Sequence, residues 1–471
     1  MTMLHGKSVG WVLIGLFMFS FVLQVPAAVA SDQPEQGLSI FDAYKAALEN
    51  DPATRIAQED LKIGEQYEVI GRSSLLPQVV YNNTRNRNYN VSTLQTTIGS
   101  QVEDLNFLSK VDALTLRQPL FSVEALARFR QGRYQSEAAQ WLFAARMQDL
   151  IARLAEAYAN LVLARRQLRV IDSQLIVLHE ERALSERLLQ GGEGTITDLL
   201  EVQSRLDMVS VQRIEALDAI ELSKRALLQI VGDGLRDRVD RIAAENPTSR
   251  PLAAFVSSER AHFEESAYER WAELALSGNP ELRAARALIE SSRQELLKAI
   301  GQHAPRVDGT MSYGHSSSES VLLLNRSYLN RSIGISLSMP IYAGGATQAA
   351  VEQARASLAR TEADYEAKKS KLLLDLKRSH VTMQSGLKKL EALRIAEASS
   401  RRLLQSTEQS VKGGVRIRLH VLQAQSQLAQ TQIEQVKTTL QVGMAYIRSR
   451  SVTGQVDETD LTRFDNWVAN L

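Results

Sequence analysis

The prolines of this chain fall twice. Pro52 and Pro280 lie 228 residues apart, as do Pro77 and Pro305, while Pro119 and Pro340 lie 221 apart. Their settings repeat with them: Asn50-Asp51-Pro52 matches Gly278-Asn279-Pro280, and Leu76-Pro77-Gln78-Val79 matches Ala304-Pro305-Arg306-Val307. Farther on, Gln190-Gly191-Gly192 answers Lys412-Gly413-Gly414, and Leu199-Leu200-Glu201-Val202-Gln203-Ser204 answers Val421-Leu422-Gln423-Ala424-Gln425-Ser426. Val231-Gly232 and Thr453-Gly454 close the halves at the same 222-residue separation. Agreement at so many ordered points describes an internal duplication, and a repeat has to be settled before the fold. Pro247 and Pro251 fall outside it, in a polar stretch that reads as the link between copies. The expected organisation is therefore a first repeat over 31–232, a linker over 233–265, a second repeat over 266–454 and a C-terminal tail over 455–471.

Within each copy the punctuation is sparse. Residues 124–190 and 346–412 contain no proline and one glycine each, so each predicts a helix of 67 residues, ~100 Å long at ~1.5 Å per residue. In the first, Leu154, Ala157, Leu161, Ala164, Leu168, Ile171, Leu175 and Leu178 alternate three and four apart. That spacing averages 3.5 residues and belongs to helices coiled around neighbours. A second helix follows each glycine pair, giving long antiparallel hairpins.

The period changes after Pro305. Val307, Gly309, Met311 and Tyr313 alternate with polar residues, as do Ile333, Ile335, Leu337 and Met339, so two strands are expected at 306–315 and 331–340 around a polar loop at 315–330. The first copy gives a weaker version, strands at 78–92 and 108–118 across an Asn-rich loop at 82–106. The expected fold is mainly α with a β-barrel part, one strand hairpin per repeat.

Residues 1–30 read as a signal peptide: Lys7 precedes an apolar run from Val9 to Val25 that ends in Ala28-Val29-Ala30. The rival reading is a membrane anchor, since the run nearly reaches the ~20 residues a spanning helix needs. No later stretch is apolar enough to span as a helix. With 55 basic and 54 acidic residues, no net field draws nucleic acid, and no nucleic-acid partner is expected. The absence of cysteine excludes disulfides, thiolate metal sites and an N-terminal lipid thioether. Seven scattered histidines show no metal-ligand spacing, no phosphate-binding loop follows the glycine pairs, and no nucleophile motif occurs. No catalytic residue, metal or cofactor is expected.

Four strands cannot close a membrane barrel, whose smallest forms have eight. Two chains would supply eight strands and a filled interior, whereas three supply twelve and a pore. The competing possibility is that the hairpins cap a soluble helical bundle, as in a periplasmic adaptor or scaffold.

At this point the chain resembles the TolC family of outer-membrane exit ducts. The likeness rests on Asn279-Pro280-Glu281-Leu282, Leu75-Leu76-Pro77-Gln78, Arg117-Gln118-Pro119-Leu120-Phe121, Met339-Pro340-Ile341-Tyr342-Ala343-Gly344-Gly345 and Ile196-Thr197-Asp198 after the first glycine pair. It implies a homotrimer in outer-membrane lipid, continued across the periplasm by a helical barrel. It also implies docking to a periplasmic adaptor (membrane fusion) protein and an inner-membrane ABC or proton-driven transporter. The hairpin tips that would meet the adaptor are Gly191, Gly192 and Glu193, with Gly413, Gly414 and Val415. The entrance constriction would carry His420 and Gln423, where family members have carboxylates. A closed-state link would join Arg416 to Thr197 and Asp198, without the tyrosine other members add, since Val411 stands there. Asp198 has a plainer use as the cap of the following helix. The missing lipid-anchor cysteine favours type I protein secretion over multidrug efflux, which remains the alternative.

Overall fold

The computed structural model describes residues 38–242, 267–318, 326–413 and 419–469. The chain runs α1 (Ile40–Asn50), α2 (Pro52–Ser73), β1 (Gln78–Thr96), β2 (Gly99–Phe121), α3 (Val123–Gln190) and α4 (Ile196–Val231), then a 3-10 turn (Asp233–Leu235) and α5 (Arg236–Arg241). After α6 (Ala267–Gly278) the pattern returns as α7 (Pro280–Gly301), β3 (Arg306–Ser318), β4 (Arg326–Ser338), α8 (Ala346–Lys412) and α9 (Leu419–Val452), closed by α10 (Glu458–Ala469). The segment expected to be a linker is helical in its first part, through α5, and its remainder lies outside the described residues, as does the expected signal peptide.

The duplication is visible in matched joints. Asp51 and Asn279 each cap a helix that begins with proline, accepting from the backbone N–H of Thr54 at 3.1 Å and Leu282 at 2.9 Å. Proline suits that first position because its missing N–H would have no intrahelical partner. Asn50 and Asn279 then donate to the carbonyls of Val231 (3.2 Å) and Val452 (2.8 Å), tying each joint to the end of its copy's last helix.

The 68-residue α3 and 67-residue α8 are the long members. Toward the sheet, α3 packs against α2 and α7, and α8 against α7; away from it, α3 pairs with α4, and α9 packs against both α8 and α3. Backbones close in at glycine: a Cβ on Gly71 would meet the Arg128 carbonyl 3.0 Å away. Of the eight α3 residues at coiled-coil spacing, six are buried, and Leu168 and Leu175 are half-buried. The main core gathers α1, α5 and α10 around the long helices, with Leu38, Ile40, Leu154, Leu227, Leu390 and Phe464 all buried. Inside it Tyr446 donates to Asp460 at 2.6 Å, and Arg450 Nε does so at 2.9 Å. Burial, then that hydrogen bond, pushes the Tyr446 phenol up to about 12.

The four strands form one antiparallel sheet in the order β1-β2-β3-β4. The strands expected at 78–92 and 108–118 are present, and most of the residues between them, expected as loop, extend the ladder: β1 and β2 pair continuously from Gln78↔Arg117 to Thr96↔Gly99. A ladder needs only backbone groups, so polar side chains on both faces hide the period without preventing the pairing. Gly99, at φ +137°, follows the two-residue turn. The second hairpin is likewise longer than expected at its tip, with His315–Ser318 and Arg326–Asn330 in the ladder. β4 stops at Ser338 rather than running to Pro340, which has no N–H to give. Pro119 is accommodated in β2 by a register shift before Phe121.

Candidate functional site

Residues directly opposite in an antiparallel pair project to the same side. The register therefore places Val79, Tyr81, Leu114, Leu116, Met311, Tyr313, Ile333, Ile335 and Leu337 on one face. On the other stand Asn82, Thr84, Thr115, Thr310, Ser312, Ser332 and Ser336, with Val80, Val111, Ala113 and, farther out, Phe107 among its apolar exceptions. Ile333, Ile335 and Leu337 are 86%, 75% and 70% exposed in the single chain. Such a face is costly in water, at about 25 cal/mol per Å² of apolar surface, and suits hydrocarbon. From Val307 to Tyr313 it rises ~20 Å along the strand at ~3.4 Å per residue, near the ~25 Å apolar band of outer-membrane barrels. Phe121 at one end and Tyr81 and Tyr313 at the other give it aromatic margins. Among the described residues no helix is long and apolar enough to cross a membrane.

The polar face carries a charge cluster that the alternation could not announce. Asp308, 3% exposed, accepts from Arg117 on β2 at 2.7 Å and from Arg306 Nε on its own strand at 3.1 Å. Two guanidinium groups on one carboxylate leave a net positive charge. In the sequence Asp308 is only one polar position of an alternating strand, because its partner Arg117 is set by the register of a strand from the other repeat.

At the far end of α3 the chain turns through Gly191, Gly192, Glu193 and Gly194. Gly191 donates to Arg187 O at 3.0 Å, Gly192 to Leu189 O at 3.1 Å and Glu193 to Leu188 O at 2.9 Å. Gly192 sits at φ +78°, which a side chain resists. Thr195 and Asp198 then form a capping box: Asp198 N–H donates to Thr195 Oγ1 at 3.1 Å, while Asp198 Oδ2 accepts from Thr195 N–H at 3.3 Å and Oγ1 at 2.7 Å. Thr197 lies in the same first turn of α4. The N-cap is therefore Thr195, and Asp198 supports the helix start from the third helical position rather than as the cap itself.

In the second copy Gly413 ends α8, donating to Gln409 O at 3.0 Å. Gly414, Val415 and Arg416 lie outside the described residues. His420 is half-buried in the first turn of α9, and Gln423, three residues on, is exposed. Leu422 beside them packs with Leu178, Val202 and Leu206, which brings the start of α9 onto the α3–α4 hairpin.

A two-faced sheet mounted on long antiparallel helical hairpins, with no apolar helix to cross a membrane among the described residues, is the fold of an outer-membrane channel. Solved structures share it: a membrane protein from Pseudomonas aeruginosa superposes at a TM-score of 0.75 with 19% identity, covering 90% of this chain and 93% of that one. The outer membrane protein VceC from Vibrio cholerae gives 0.73 with 18% identity over 88% and 96%. The family model described as outer membrane efflux protein matches residues 43–233 and 271–455, one block per repeat, and the chain belongs to that family. The alkaline protease secretion protein AprF of Pseudomonas aeruginosa is 33% identical over 90% of this chain and 86% of its own length. The proteases secretion protein PrtF of Dickeya chrysanthemi is 29% identical over 92% and 91%. The outer membrane protein TolC of Escherichia coli (strain K12) is 21% identical over 92% and 86%. The protein is an outer-membrane channel that extends into the periplasm.

Proposed function

We propose that three copies of this chain form the exit duct of a type I secretion system, passing protein from an inner-membrane ABC transporter and a periplasmic adaptor to the outside. The observation that carries the trimer is the open four-stranded sheet: β1 and β4 have unpaired edges, and lipid leaves no water to satisfy them. Three chains close twelve strands around a pore. Ile56, Ile63, Tyr67 and Ile70 on α2 support the same assembly, since all four are exposed at coiled-coil spacing on a helix that has a free face. The protein cargo rests on similarity to two secretion proteins whose names specify proteases.

The glycine turn at 191–194 and its counterpart at 413–415 are proposed to meet the adaptor, and His420 with Gln423 to line the constriction. Arg416 is proposed to reach the Asp198 carboxylate through the oxygen that the cap does not use. Deleting the gene and comparing proteins in the medium tests the secretion role. Loss of one or more secreted proteins, restored by complementation, is expected. Unchanged secretion with raised sensitivity to small toxic compounds would point to drug efflux instead.

A further inference from the structure

The outward face of the sheet does not stop at its apolar band. Continuing the register past Tyr81 and Leu114 along that face leads to Asn83↔Asp112, then Arg85↔Lys110, then Arg87↔Leu108. Arg331 is opposite Tyr313 on the same face, level with the aromatic margin. Four cations therefore stand at or beyond the edge of the hydrocarbon-facing surface, at the end away from the helices: Arg331 at its margin, Arg85 and Lys110 ~14 Å farther along the strand, and Arg87 beyond them. Like charges directly opposite across a ladder destabilise it, yet Arg85 and Lys110 occupy such a pair.

Among the described residues, none of the four is in an ion pair; Arg331 lies over the Tyr313 ring at 5.5 Å, and Arg87 over Tyr89 at 5.7 Å. Arg87 Nε also donates to Asn106 Oδ1 at 3.4 Å. Among the described residues, the one acid at this level is Asp112, which is opposite His315 and is taken by Tyr81 Oη at 3.0 Å and by the Asn83 amide. Asp104 lies farther out on β2, opposite Val91.

We infer that this belt binds the phosphorylated headgroups of anionic lipid in the outer leaflet, with Arg85 and Lys110 sharing one phosphate. It rests on the reading that the apolar face meets lipid. Guanidinium and ammonium groups about 5 Å apart at their Cβ atoms can converge on one phosphate oxygen set, and a lipid is the occupant because the acyl chains would lie on the apolar band directly below. Each cation near an anionic surface contributes about 1 kcal/mol, so several together favour a phosphorylated over a neutral lipid.

The test uses the full-length protein purified in detergent, with bound lipid counted by native mass spectrometry after exposure to bis-phosphorylated lipid A. The wild type should retain it, and Arg85→Gln/Lys110→Gln/Arg331→Gln should lose roughly a hundredfold in affinity, about fivefold per charge. Arg85→Gln alone should lose about fivefold and keeps the comparison available if the triple variant assembles poorly. Dephosphorylated lipid A should bind both proteins equally and weakly. Equal retention of lipid A by wild type and Arg85→Gln overturns the proposal, as does full displacement by millimolar inorganic phosphate, which would mark a free-anion site. Conductance of the same preparations in planar bilayers reports on the channel separately, so failure of the duct reading is distinguishable from failure of the lipid site.

Discussion

Single polar side chains hold the joints of this molecule, and two of them make sharp expectations. Burial raises the Asp51 carboxyl, but hydrogen bonds from Arg153 and Thr54 outweigh it and hold the group below the ordinary carboxylate range. A depressed folded-state value means stability that is present above the unfolded value near ~3.9 and lost as pH falls through the folded one. Asp51→Asn keeps a capping oxygen, as Asn279 does in the other repeat, and loses the ion pair with Arg153. Thermal unfolding should show a loss of about 1 kcal/mol near neutral pH and a flatter decline below ~pH 4; an unchanged acid limb would contradict the pairing. Asp198 has two jobs in this account. Arg416→Ser should raise closed-state conductance, Asp198→Ala should raise it to a similar level, and the double change should not add. Asp198→Ala should also weaken the start of α4, because it removes the N3 half of the capping box and leaves only the Thr195 cap. Additive conductance changes would show that the two residues do not share a latch.

At the scale of elements, the helices were the most legible part. Proline and glycine mark their ends, so 124–190 was expected and Val123–Gln190 is found. The β3 and β4 strands were legible where one face is apolar, at Val307 to Tyr313 and Ile333 to Leu337. The extension of β1 past 92 and of β2 before 108 was not, because polar and apolar residues mix on both faces there, Asp104 and Asn106 with Val102 on one and Glu103 with Phe107 on the other. The Asp308 cluster was hidden for a different reason, since it needs the register between strands from different repeats. The lipid-facing assignment of Val307, Met311, Ile335 and Leu337 follows from the same faces. A charge at Leu337 should cost roughly 2 to 4 kcal/mol near the membrane midplane. Leu337→Arg is therefore expected to lower the amount of assembled protein in outer-membrane fractions, and wild-type levels would show that the face is misassigned.

For the whole molecule, His420 and Gln423 replace an acidic ring at the proposed entrance, so no fixed negative charge is supplied there by these positions. Trivalent cations added from the periplasmic side should block weakly at neutral pH, and a tight block unchanged in His420→Ala and Gln423→Ala would place the determinant elsewhere. A chain that contributes four strands should conduct only when three copies close the barrel. Native mass spectrometry of the protein extracted from outer membranes in mild detergent measures the copy number directly. Three chains per particle are predicted, in the same preparation that conducts in planar bilayers; a conducting particle of one or two chains would contradict the account.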